Sequence, residues 1–390
     1  MKARTVLGAL AALAFGALSA AATAQSTVKL GMVAPFSGPF AEYGQQMLGG
    51  MKAYMKVHGD TVAGKKVEIV QRDNGGPAPD VAKRLAQELL TRDNVDVLVG
   101  FGFTPDALAV APLATEAKKA MVIMNAATSI ITTKSPEIVR VSMTLPQVTQ
   151  PMAEWAAKNG IKKVYTVVAD YGPGIDAEKT FVEAFKKAGG EIVGSVRTPL
   201  ANPDFAPFIQ RVKDAKPEAV FLFLPAGAPG IAFLKGYEER GLKEAGIKLI
   251  ATGDITDDTV LESMGPPAVG LITSFHYSTD HKSPENEAFK KAYVEANGTK
   301  LRPNFMACAG YDGMALIYEA LKKTNGATDG EKLVAAMKGA KWMSPRGPVM
   351  IDPETRDIVQ TVYIRKVEKV GGELYNVEFD KFPDQKDPGK

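Results

Sequence analysis

The stretch VDVLVGFGFTPDALAVAPLATEAKKAMVIMNAATS, residues 95–129, sets the pattern from which the rest of the chain is read. Its opening run, 95–99, is short, apolar and β-branched, as suits a strand buried on both faces. The loop Gly100-Phe101-Gly102-Phe103-Thr104 follows, and Pro105 fits a first helical position with Thr104 as N-cap. The spacing predicts a helix to about Lys118, a second strand over 121–124, and the loop Ala126-Ala127-Thr128-Ser129 in the same relative place. Each loop follows the carboxyl end of a strand, where open α/β sheets bind ligands. Unbonded N–H groups at or near a helix start favour an anion such as a carboxylate. Thr104, Thr128 and Ser129 add hydroxyl donors, and Phe101 and Phe103 wall the same crevice with apolar surface. Singly, each threonine reads equally as a cap and each phenylalanine as core; the two loops together read as a site.

Working outward, strands and helices alternate from Val28, which indicates α/β with a mostly parallel sheet. Strands are expected over 28–33, 66–72 and 138–141, and helices over 45–58 and 79–92. The pattern restarts at 142–146, with a helix over 147–158, a strand over 163–168, the loop Ala169-Asp170-Tyr171-Gly172-Pro173-Gly174 and a helix over 176–188. Both halves open with a strand, a loop carrying Tyr-Gly (Tyr43-Gly44, then Tyr171-Gly172) and a helix. Further strands are expected over 191–196, 219–223, 248–251 and 270–274, with helices over 205–215, 230–240 and 257–264. The tail adds helices over 284–297, 305–324 and 329–337. Strands over 348–351, 358–367 and 374–379 end it, the last two a hairpin joined by Gly371-Gly372.

The start of the chain reads as a signal peptide over 1–24: basic Lys2 and Arg4, an apolar run over 6–18, then Ala22-Thr23-Ala24. The run is too short to span a bilayer. An exported chain from Gln25 would keep 366 of the 390 residues, enough for two domains. Losing Lys2 and Arg4 takes the net charge from +3 to +1, which argues against nucleic acid as a partner. Cys308 is the single cysteine, so no intrachain disulfide can form, and its apolar helical context reads as core.

Catalytic signatures are missing. There is no Gly-x-Ser-x-Gly elbow, and His58, His276 and His281 lack metal-ligand spacing. The run Gly59 to Lys65 only superficially matches a phosphate loop, since Lys66 replaces the needed hydroxyl residue and a strand follows it. Gly100-x-Gly102 lacks a third glycine, Pro105 standing there. No cofactor or metal is expected. Aromatic and turn residues instead gather past strand ends: Phe36, Phe40 and Tyr43; Phe101 and Phe103; Tyr171; Pro225-Ala226-Gly227; Thr252-Gly253-Asp254. Two facing halves would bring them into one apolar cleft with a few polar anchors.

VKLGMVAPFSGPFAEYGQQMLGGMKAY (29–54 with Val28), the Gly100 loop, NAATS (125–129), ADYGPGIDAEKTF (169–181) and AGYDGMALIYEAL (309–321) together carry a resemblance covering nearly the whole mature chain. It resembles the periplasmic leucine/isoleucine/valine-binding proteins and their relatives, the type I solute-binding proteins of ABC importers. The resemblance implies a two-lobed type I periplasmic binding protein fold, each lobe a mostly parallel sheet flanked by helices. Lobe one would be 25–142 with 279–355 and lobe two 143–278 with 356–390, crossing near Ser142, Tyr277 and Pro353. A hinge would close around the ligand.

By position, the resemblance implies that Phe103 or Thr104, with Ala126 and Thr128, binds a ligand carboxylate, while Tyr43 and Tyr171 close over it. Asp254 matches the acid that receives an amino-acid ammonium. Pro225 or Ala226 stands where the family carries an aromatic, a departure that leaves room for a bulkier ligand, and Phe101 and Phe103 suit a ring. The ligand class therefore stays open between a branched-chain or related amino acid and a small aromatic acid. The expected role is a periplasmic, monomeric capture protein that is not membrane-spanning and delivers its ligand to an ABC transporter permease. A ligand-sensing module for a receptor and an exported α/β hydrolase are the alternatives.

Overall fold

The computed structural model describes residues 26–201, 203–298 and 302–390; the expected signal peptide lies outside them. Two sheets organise the chain. The first draws on β1 (Thr27–Ala34), β2 (Thr61–Val62), β3 (Lys65–Asp73), β4 (Val97–Gly100), β5 (Ala120–Ile123) and β6 (Ile138–Arg140), in the order β2-β3-β1-β4-β5-β6. All pairings are parallel except β2 with β3. Helices α1 (Ala41–His58), α2 (Pro79–Thr91) and α3 (Thr104–Ala117) connect its strands.

Both faces of this sheet are buried, which explains the unbroken apolar runs. Val97, Val99 and Val122 join one cluster with Met47 and Met314, while Leu98, Met121 and Ile123 join another with Ala107 and Val110. Successive side chains leave a strand on opposite faces, so a strand covered on both sides carries no polar alternation.

The second unit begins with α4 (Leu145–Lys158), β7 (Lys163–Ala169), α5 (Gly172–Lys187), β8 (Glu191–Thr198) and α6 (Ala206–Ala215). It continues with β9 (Ala219–Phe223), α7 (Ala228–Glu239), β10 (Lys248–Thr252), the short α8 (Leu261–Met264) and β11 (Ile272–Phe275). Helices α9 (Pro284–Asn297) and α10 (Phe305–Lys323) then return to pack on α1, and α11 (Gly330–Met337) packs near β5 and β6. Gly50 and Gly310 permit the α1–α10 contact: a Cβ on Gly50 would lie 1.8 Å from the Ala307 carbonyl oxygen, and one on Gly310 2.1 Å from that of Met47. The chain ends with β12 (Lys341–Ser344), β13 (Gly347–Ile351), β14 (Ile358–Val370) and β15 (Glu373–Gln385). The second sheet runs β12-β13-β14-β11-β10-β9-β7-β8, with β15 also on β14.

Most expected elements are present, with instructive shifts. α1 starts at Ala41, four residues before the expected Gln45, so Tyr43 sits on its first turn. α5 starts at Gly172, not 176, with Pro173 in its first turn. Thr104 is not the N-cap of α3: Phe103 holds that position in extended conformation, and Thr104 is already helical. Its hydroxyl is free for another partner. The expected helix over 257–264 shrinks to α8, because Asp257 caps a turn by accepting from the backbone N–H of Thr259. β2 and β12 had no sequence signal: one is two residues long, the other mixes charge with exposed Met343 on an edge. β13, expected with the first unit, pairs with the start of β14.

Candidate functional site

The carboxyl ends of both sheets face each other across a cavity of about 20 Å³, lined by Tyr43, Phe103, Thr104, Asn125, Tyr171 and Asp254 among others. That is room for little more than a single water, so the two units lie nearly in contact across the cleft. The cleft is closed. The Tyr43 hydroxyl donates to the Ala226 carbonyl at 3.1 Å, the Ser129 N–H to Asp176 Oδ2 at 2.9 Å, and the Thr259 hydroxyl to Glu42 Oε2 at 2.8 Å. Each bond joins the first unit to the second.

Aromatic rings wall the cavity from both sides. Tyr43 stacks on Phe103 (centroids 5.2 Å apart, planes 13° apart), and Tyr171 stacks on Phe223 (6.1 Å, 18°). All four residues line the cavity. Burial, then the nearby Asp254 carboxyl for Tyr171, raises both tyrosine hydroxyls well above their ordinary pKa, so both are neutral donors.

One end of the cavity is rich in N–H groups. The backbone N–H groups of Thr104, Ala127 and Thr128 donate to no group among the described residues, and Thr104 begins the 14-residue α3. The Thr104 and Thr128 hydroxyls hydrogen-bond each other at 2.8 Å. Either can turn a proton to an anion while the other accepts. This end suits a carboxylate. Thr128→Val strands the Thr104 hydroxyl and removes one donor; carboxylate affinity is expected to fall about fivefold, near the 1 kcal/mol of an ordinary hydrogen bond. Calorimetric titration checks this, and an unchanged affinity would place the anion elsewhere.

A buried cation shapes this loop from behind. The fully buried Arg140 guanidinium donates to the carbonyls of Ala126 (2.9 Å), Thr128 (2.8 Å) and Ser129 (3.3 Å), and pairs with Asp357 at 2.8 Å. With three carbonyls turned back to Arg140, the loop's free N–H groups are left for the cleft. Lys390 also binds Asp357, and Asp387 accepts from the Ser129 hydroxyl at 2.8 Å.

The other end carries Asp254, whose Oδ2 accepts from the Thr252 hydroxyl at 2.8 Å. Burial raises its pKa to about 6, against the lowering pull of Thr252 and Arg365. In the unfolded chain this carboxyl titrates near 4, so folding takes up a proton between those values, and the contribution to stability is full below about pH 4 and lost as pH rises through about 6.

The structure thus gathers Tyr43, Phe103, Thr104, Ala126, Tyr171 and Asp254 on the cavity wall, with Thr128 one hydrogen bond behind. Two expected contacts change character. Phe101 lies off the wall, fully buried in the first-unit core, because its left-handed backbone (φ 65°) turns the side chain away. Ala126 lines the wall but offers no donor, since its N–H is spent on the Phe101 carbonyl at 2.9 Å. Ala226 contributes its carbonyl to Tyr43, while neighbouring Pro225 lines the cavity. Asn125, Phe223 and Arg140 were not singled out from the sequence. Phe223 closes an apolar strand and Arg140 interrupts one, and an arginine in a buried strand was the available signal. None of the three histidines lines the cavity. Cys308 is buried, as expected, and burial pushes its thiol pKa up. Among the described residues no His/Cys/Asp/Glu group could hold a metal ion, and no helix is long and apolar enough to cross a membrane.

Comparison with known proteins follows this geometry. Residues 27–372 match the periplasmic binding protein family. The Leu/Ile/Val-binding protein homolog 6 of Brucella melitensis is 47% identical over 382 residues, 98% of each chain. A solute-binding protein of an ABC transporter from Rhodopseudomonas palustris BisB5, solved with 3,4-dihydroxybenzoic acid, superposes with TM-score 0.89 at 57% identity, covering 93% of this chain and 99% of that one. Another from R. palustris, solved with 4-hydroxybenzoate, gives 0.92 at 47% identity with the same coverage. The two facing sheets, the first mostly parallel and the second with a parallel half, the closed cleft between them and these matches make the chain a member of the periplasmic binding protein family, a type I solute-binding protein of an ABC transporter.

Proposed function

We propose that this protein captures a small hydroxylated aromatic carboxylate in the periplasm and hands it to an ABC permease, without chemistry on the ligand. The observation that carries this reading is the pair of stacked aromatic walls, one from each unit, between an N–H-rich end and a carboxyl end. In this reading the walls part by a small hinge opening to admit a flat ring, its carboxylate at Thr104, Ala127 and Thr128 and a phenolic hydroxyl donating to Asp254. The solved relatives with hydroxybenzoates support the same class. The lobes are the two sheet units with their helices, joined by three crossings, and Tyr43, Asp176 and Glu42 mark their closing contacts. Export through the signal peptide over 1–24 belongs to this reading.

A branched-chain amino acid is the second reading. It is favoured by Asn125, whose Nδ2 donates to the Gly102 carbonyl at 2.7 Å while its buried Oδ1 has no partner, an acceptor an ammonium would satisfy. Titration of ligand-stripped protein separates the two. Binding of 4-hydroxybenzoate and 3,4-dihydroxybenzoate without leucine is the expected result; leucine binding without either acid overturns it. Asp254→Asn is expected to weaken 4-hydroxybenzoate about tenfold, the scale of a hydrogen bond to a charged group, and to leave benzoate nearly unchanged. Equal losses for both would remove Asp254 from the hydroxyl.

A further inference from the structure

The N–H-rich end of the cavity is built from peptide planes that face one way. In a trans peptide the C=O and N–H point to opposite sides, so whatever holds a carbonyl also aims the N–H of the next residue. The Ala126 carbonyl is held by Arg140, which turns the Ala127 N–H to the cleft. The Ala127 carbonyl accepts from the Leu145 N–H at 2.9 Å, which turns the Thr128 N–H the same way. Leu145 is the first residue of α4, in the second unit, and lines the cavity. The aim of the Thr128 N–H therefore depends on where α4 starts.

One side chain reaches both sides of this contact. Asp387 lies in the segment after β15 and is buried. Its Oδ1 accepts from the Ser129 hydroxyl at 2.8 Å, the Thr144 hydroxyl at 3.0 Å and the Gly389 N–H at 2.9 Å. Ser129 follows Thr128 in the anion loop, and Thr144 is the N-cap of α4, its hydroxyl oxygen accepting from the Gln147 N–H at 3.2 Å. The segment is fitted closely against the loop. A Cβ on Gly389 would lie 2.3 Å from Ser129 Oγ, and the Lys390 ammonium, 3.9 Å from Asp387 Oδ2, also binds Asp357 and the Thr132 hydroxyl.

We propose that Asp387 is a positioning residue for the ligand carboxylate: it clamps the anion loop to the cap of α4, so that the Leu145 N–H holds the Ala127 carbonyl and the Thr128 N–H stays aimed at the cleft. An ionised carboxyl suits this place because it only accepts, and its charge strengthens each bond it takes. With the Thr144 proton drawn to Asp387, the Thr144 oxygen is left to cap Gln147. Asp387 lies off the cavity wall and acts through these two main-chain segments.

The inference rests on a carboxylate at this loop, where the hydroxybenzoate and leucine readings both put one. The test is titration of wild type, Asp387→Ala, Asp387→Asn, Ser129→Ala and the double variant Asp387→Ala/Ser129→Ala with 4-hydroxybenzoate and leucine, beside thermal unfolding without ligand. For whichever compound wild type binds, Asp387→Ala is expected to weaken affinity about tenfold, the scale of a hydrogen bond to a charged group. The double variant is expected to lose no more than Asp387→Ala, since both changes break one clamp. Asp387→Asn, whose amide oxygen still accepts from the two hydroxyls, is expected to restore most of the loss. Ser129→Ala removes one arm and is expected to cost about threefold, which serves if Asp387→Ala does not fold. A lowered thermal midpoint with unchanged affinity in the folded alanine variants would make the clamp structural only and overturn the positioning role alone. Wild type that binds neither compound overturns the proposed function and this inference together.

Discussion

Arg140→Met is expected to destabilise the protein by about 3–5 kcal/mol, the cost of breaking a buried ion pair from one side. Arg140 is fully buried, and its guanidinium serves Asp357 and three loop carbonyls at once. Methionine fills similar volume but leaves those carbonyls without their donor and Asp357 dependent on Lys390 and Thr132. Arg140→Lys is expected to recover only part of the loss, because one ammonium cannot reproduce a planar fork that meets several acceptors. Denaturant unfolding of both variants measures this, and a double-mutant cycle with Asp357→Asn isolates the pair. A loss under about 1 kcal/mol for Arg140→Met would mean that Arg140 does not hold the loop, since that is the range of an exposed pair.

The second large effect is on binding, not on folding. Gly172→Ala is expected to weaken ligand binding about 5- to 150-fold while leaving the thermal midpoint of the ligand-free protein unlowered. Gly172 opens α5 in the second unit, directly against the hydroxyl pair of the first. A Cβ there would lie 2.6 Å from Thr128 Oγ1 and 3.3 Å from Thr104 Cγ2. Thr128 cannot swing aside freely, being β-branched and hydrogen-bonded to Thr104. Overpacking of this kind costs about 1–3 kcal/mol, and only the closed form bears it. The open form meets no such contact, and alanine suits a helix better than glycine. Small-angle scattering with ligand should show reduced compaction for the variant. Wild-type affinity in Gly172→Ala would show that the closing units do not meet at this point.

Both predictions concern contacts that link residues far apart in the chain, and this separates what was legible beforehand from what was not. The alternation of strands and helices was readable because β4, β5 and β9 are short runs of apolar residues between turn-forming loops, a local property. The position of the site was readable for the same reason: Gly100, Ala126, Tyr171 and Asp254 follow strand ends, and parallel strands place those ends together. The start of α1 was misjudged because its first turn, Ala41-Glu42-Tyr43-Gly44, follows Pro39-Phe40 with no capping side chain to mark it.

The roles of individual residues divide along the same line. Thr104 reads as a cap from its place before Pro105, yet its hydroxyl is taken by Thr128, 24 residues on. Phe101 reads as wall from its place in the loop, yet one left-handed backbone angle sends it to the core. Ala126 reads as a donor, yet its N–H has already been used to join the two loops. Arg140 gave no functional reading, because its partner Asp357 lies 217 residues away.

The amino-acid order alone therefore determined most of the strands, though not β2 or β12, the repetition of strand, Tyr-Gly loop and helix in two halves, and which loops follow the strand ends, because periodicity and turn chemistry act over a few residues. The tertiary structure alone decided which side chains face the ligand, which amides stay unbonded and what holds them there. Those outcomes depend on single backbone angles and on hydrogen bonds between distant segments, which exist only once the two halves have closed on each other.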